Sequence, residues 1–116
     1  MENFKKIFVD RVLVIEVNLT RATMNEAIAF RKILEEEINF FHTNLVIDLS
    51  KCDYIDSTFF GAIVMTAKML SNIGSRLKVV KPANEGESIS IYKNTTKIFD
   101  KYKTREDAIK SSEGDI

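Results

Sequence analysis

An α/β sandwich, a single domain with helices packed on a mixed β-sheet, is the fold class the sequence predicts. Three observations predict it. Short β-branched runs alternate with segments of helical period. The first two runs are separated only by Asp10-Arg11, a two-residue polar turn that suits a hairpin. A length of 116 residues fits one hydrophobic core rather than two.

The elements follow in order. Phe4 to Val9 mixes apolar residues with two lysines, as a short edge strand does, and Val12 to Val17 is a β-branched strand. From Thr23 the period changes. Ala27, Phe30, Leu34, Ile38 and Phe41 recur at three- and four-residue steps along one side of a helix, with Glu35, Glu36 and Glu37 mostly on the wet side. Thr23 and Glu26 form a T-x-x-E capping box at its start. Asn44 to Leu49 is short and nearly continuously apolar, which fits a buried central strand. The stretch Ser50 to Asp56 is a loop that re-enters the core at Tyr54 and Ile55. A second helix runs from about Ser57 to Ile73 and stops at Gly74. Leu77 to Lys81 is a strand closed by Pro82. The pattern then predicts a helix near Glu87 to Lys93, a short strand within Ile98 to Tyr102, and a last helix from Arg105 capped by Thr104. The domain is expected over residues 1–110, with 111–116 as a disordered tail.

Composition narrows the function. Lysine and arginine (17) balance aspartate and glutamate (17), which argues against a general nucleic-acid or membrane binder. The longest apolar run, Phe59 to Met65, is far short of the ~20 residues a membrane span needs. Met1 to Lys6 does not lead into a secretory signal, and a lone cysteine cannot close an internal disulfide; a cytoplasmic protein is expected. The charge is uneven: residues 68–105 hold 9 basic and 3 acidic side chains, either a solvated face or a basic surface for an acidic partner.

Catalytic inventories are empty. His42, the one histidine, lies just after the first helix, where it suits the helix C-terminus better than a triad. Cys52 has no Cys-x-x-Cys partner and the four glycines are scattered, so neither a metal nor a nucleotide cofactor is expected, and no catalytic residue. One constellation remains: Asp56-Ser57-Thr58 where the second helix begins. Capping explains these residue types. A phosphorylation switch does too, because a phosphate on a first-turn hydroxyl faces free amides and the positive end of the helix dipole. The helix that follows is apolar on two sides. Phe60, Ile63, Ala67 and Leu70 suit the core; Phe59, Ala62, Met65, Met69 and Ile73 are either buried under another helix or form a partner or self-association surface, as in a homodimer.

The run Val46-Ile47-Asp48-Leu49-Ser50 through Tyr54-Ile55-Asp56-Ser57-Thr58 to Gly61 resembles the signature of STAS domains, the family of bacterial anti-sigma factor antagonists. The order of elements also resembles that family from about Phe4 to Lys110. The family's Gly-Leu after the hydroxyls is Phe59-Phe60 here, and its G-E-L-D loop is Thr20-Arg21-Ala22-Thr23. The resemblance implies a regulator without enzymatic activity. Its partner would be an anti-sigma factor that is also a serine kinase, with phosphorylation at the position of Ser57 weakening the complex and a serine phosphatase resetting it. Thr58 is the secondary acceptor, Asp56 the acidic neighbour, and Arg21 a residue that could pair with the phosphate. The partner surface would include Asp56, Phe59, Met65, Met69 and Arg21. The other reading is an unphosphorylated STAS scaffolding domain that assembles through Phe59, Met65 and Met69.

Overall fold

The computed structural model describes residues 2–40, 42–83 and 98–113. Strands β1 (Phe4–Val9), β2 (Val12–Val17), β4 (Leu45–Asp48), β6 (Lys78–Val80) and β7 (Asp100–Tyr102) form one sheet in the order β1-β2-β4-β6-β7. β1 and β2 are antiparallel, with Val9 opposite Val12 across the Asp10-Arg11 turn, and the other pairs are parallel. This is the expected opening hairpin in a mixed sheet. A second, two-stranded sheet pairs β3 (Arg21–Ala22) with β5 (Tyr54–Ile55). Helix α1 spans Met24–Asn39, α2 spans Ser57–Asn72, and α3 spans Arg105–Glu113. The helix expected near Glu87 to Lys93 and the core position expected at Phe41 lie outside the described residues.

Alternation along the strands sends side chains to two cores. Leu13, Ile15, Leu45, Ile47 and Val79 face α1 and α2, where they meet Phe30, Leu34, Phe59, Ile63 and Leu70. Val12, Val14, Val46 and Val80 face the other way and pack with Ala108 of α3. The central strands are therefore buried on both faces, which is why β4 reads as a continuous apolar run. Thr104 starts α3 as expected, its Oγ1 accepting from the Asp107 amide at 3.1 Å. The helix continues past Lys110 to Glu113, and Ser111 Oγ donates to the Ala108 carbonyl at 2.7 Å.

Two sequence expectations are corrected by the packing. Phe59, placed on the partner surface, has no exposure at all: its ring stacks on Phe30 at 4.5 Å between centroids and on Phe4 at 6.3 Å. Helix α1 lies against α2 on that side, so the second apolar row is core at Phe59 and Ala62 and reaches solvent only at Met65 and Ile73, with Met69 half-buried. Glu37, expected in water, is buried. It follows Leu34 by one three-residue step and so turns inward over β1. There Lys6 Nζ donates to Oε1 at 3.0 Å and the His42 ring meets Oε2 at 2.6 Å. The burial of this carboxylate is compensated by both partners.

Candidate functional site

The site grows from the small sheet. β3 and β5 run parallel, Arg21 beside Tyr54 and Ala22 beside Ile55, and each leads within two residues into a helix. The two helices therefore start side by side. Thr23 caps α1 with the expected capping box: its Oγ1 accepts from the Asn25 amide at 3.3 Å, and its own amide donates to the Glu26 carboxylate at 3.0 Å. Asp56 caps α2, Oδ1 accepting from the Phe59 amide at 2.8 Å. Its other oxygen, Oδ2, accepts from the Met24 amide at 2.8 Å, the first residue of α1. One carboxylate thus caps both helices. The Asp56 amide donates to the Ala22 carbonyl at 3.0 Å, which fixes the carboxylate between them.

Ser57 and Thr58 follow Asp56 in the first turn of α2, and both are exposed. Phe59 and Phe60, which stand where the family pattern has Gly-Leu, turn inward and leave the hydroxyls uncovered. No acidic side chain lies within the first turn of α2. A phosphoryl group on Ser57 would meet the positive ends of two adjacent helices, with Asp56 the negative charge beside them. The Arg21 guanidinium lies 4.2 Å from the centroid of the Tyr54 ring, stacked on the exposed side of the small sheet. Cys52 is buried, and burial first, then the charges of Asp48 and Asp53, push its thiol up to about 12; it is unreactive at neutral pH. His42 donates its amide to the Glu37 carbonyl at the end of α1, while its ring pairs with the Glu37 side chain.

Beside the hydroxyls runs a groove that the sequence reading missed. It holds about 190 Å³ between α1 and α2 and is lined by Ala27, Ile28, Arg31, Thr58, Gly61, Ala62 and Met65. Ile28 is 80% exposed and Met65 42%, with Met24 also exposed at the same helix start. Met24 and Ile28 stand four residues apart off the core stripe of α1, and that spacing was the available signal. Gly61 opens the groove floor: a Cβ built there would meet no atom within 4 Å. Of the expected partner residues, Asp56 and Met65 fall around this end of the helix pair and Phe59 does not. Met69 is one helical turn further along α2.

A family model described as STAS domain matches residues 5–108. No curated protein sequence matches the chain. Among solved structures, a candidate anti-sigma factor antagonist from Thermotoga maritima superposes with a TM-score of 0.81 at 27% identity, covering 93% of this chain and 92% of that one. The anti-sigma factor antagonist SpoIIAA in its unphosphorylated form gives 0.77 at 17% identity, covering 96% and 98%. The Bacillus cell fate determinant SpoIIAA in its phosphorylated form gives 0.71 at 16%, covering 94% and 98%. Among the described residues no helix is long and apolar enough to cross a membrane. With strand order, two-faced core and helix start in agreement with a match over most of its length, the chain belongs to the STAS domain family.

Proposed function

We propose that the chain is a cytoplasmic anti-sigma factor antagonist, a regulator that binds an anti-sigma factor with serine kinase activity and is switched off by phosphorylation at Ser57. The observation that carries the reading is the exposed Ser57 hydroxyl at the start of α2, on a backbone held by the doubly hydrogen-bonded Asp56. Likeness to proteins described as anti-sigma factor antagonists supports the partner class. In this reading the domain catalyses nothing. Asp56 shapes the docking end, Arg21 and Met65 flank it, Met69 extends it along α2, Thr58 is the secondary acceptor, and a serine phosphatase removes the group.

The switch would work by charge. About 1.5–2 added negative charges at the helix start are tolerated by the fold, because the amides and dipoles there favour an anion. They are not tolerated by a partner surface complementary to the neutral hydroxyl. Ser57→Ala is expected to keep partner capture from native-host extract, whereas Ser57→Asp is expected to lose it at least tenfold. Intact-mass measurement of the native protein, with fragmentation, is expected to place a phosphoryl group on Ser57. Equal capture by the two variants, together with an unmodified native protein, overturns the reading. The scaffolding alternative through Phe59, Met65 and Met69 is weakened, since the Phe59 ring is committed to the core.

A further inference from the structure

At the end of the sheet away from Ser57 a second surface is built around Phe8. Alternation puts Phe4, Lys6 and Phe8 on one face of β1. Phe4 packs tilted against Phe30 and Lys6 reaches Glu37, but α1 stops at Asn39 before it covers Phe8. Phe8 is 59% exposed, and the His42 ring meets it edge-on with centroids 5.3 Å apart at 75°. Phe40, the cap residue of α1, is 72% exposed. A pocket of about 400 Å³ opens beside Phe8, lined also by Asp10, Arg11, Leu13, His42, Thr43 and Asn44.

We propose that this face is a homodimer interface, in which Phe8 of each copy enters the pocket of the other. Charge selects a second copy as the occupant. The rim carries one acid and one base next to each other, Asp10 and Arg11, and among the described residues neither has an ion-pair partner within the chain. A two-fold axis brings residue i of one copy to residue j of the other and the reverse. Arg11 of each copy then faces Asp10 of its mate, giving two ion pairs around two buried rings. A uniformly acidic or basic partner would satisfy one rim charge and be repelled by the other. Asp10 sits at the hairpin tip with φ at 54°, a left-handed conformation that aspartate adopts more readily than most side chains. Phe8 is already partly covered within the chain, so each ring adds less than the roughly 150–250 Å² of a fully buried aromatic, and the dimer is a weak, concentration-dependent one.

This inference goes beyond the switch and does not depend on it, since the two surfaces lie at opposite ends of the strands and the dimer leaves both Ser57 sites open. Sedimentation velocity across a concentration series of the full chain tests it. The native chain is expected to shift from monomer to dimer, and Phe8→Glu to weaken association at least tenfold with an unchanged circular dichroism spectrum. Arg11→Asp and Asp10→Arg are each expected to be monomeric, and their equimolar mixture to form a heterodimer. A native chain that stays monomeric to about 1 mM overturns the proposal. So does a mixture no more associated than its components, or a dimer that Phe8→Glu leaves intact.

Discussion

Asp56 does at residue scale what is usually divided between two capping residues. Each helix cap contributes about 1 kcal/mol, and this carboxylate supplies one to α1 and one to α2. It therefore fixes the spacing of two helix starts as well as the first turn that carries Ser57. Gly61 makes a different argument, because no turn or close approach requires it: its φ is helical and the space above it is open. A glycine inside a helix costs about 1 kcal/mol relative to alanine. Gly61→Ala is thus expected to raise stability by up to that amount in urea unfolding, while narrowing the groove between Thr58 and Met65 and weakening partner capture. Equal capture by native protein and variant would remove this groove from the docking surface.

Among the elements, α2 shows why amphipathic pattern alone could not assign its second face. Both apolar rows are real, and the position of α1 decides that the first turns of the second row are core while Met65 and Ile73 are not. Phe59→Ala is accordingly expected to cost about 3–5 kcal/mol, measured by chemical denaturation, as deletion of a buried ring does. A loss below about 1 kcal/mol would return Phe59 to the surface. Helix α3 is held at its first residue in another way. The Arg105 guanidinium donates to Asp48 Oδ2 from Nε at 2.9 Å and pairs with Glu16, while Lys51 Nζ stands 3.4 Å from Glu16. An arginine at a helix start opposes the dipole, and these two carboxylates offset that cost.

Across the whole molecule, two carboxylates link stability to pH. The hydrogen bond from Arg105 holds Glu16 below its ordinary value of 4.5, against the effect of burial. Burial alone would push Glu37 up, but hydrogen bonds from His42 and Lys6 outweigh it and hold this group below 4.5 as well. A depressed folded-state value means the unfolded chain binds protons first as pH falls. The contribution is complete above the ordinary value and is lost as pH drops through the folded values. Urea midpoints are expected to fall below about pH 4.5 for the native chain, and less steeply for Glu16→Gln. Equal slopes would remove Glu16 from the linkage. The molecule also has two separated ends, a helix-start surface carrying Ser57 and a hairpin-end surface carrying Phe8.

Local rules made the five strands of the main sheet, α1, α2, the T-x-x-E box and the Asp56-Ser57-Thr58 helix start legible in the sequence, because periodicity and capping act within a few residues; β3 and β5, read as loop, are too short to show a period. The paired ends of α1 and α2 were not legible, since the Asp56–Met24 hydrogen bond joins positions 32 residues apart through a sheet of two-residue strands. Neither were the burial of Phe59 and Glu37 nor the groove over Gly61, each of which depends on where one helix lies against another element. Sequence by itself determined the α/β order, the helix starts and the hydroxyl-bearing residues in the first turn of α2. Tertiary structure alone decided which apolar and charged side chains are surface, because burial is set by the neighbours that long-range packing brings, not by the residue's own pattern.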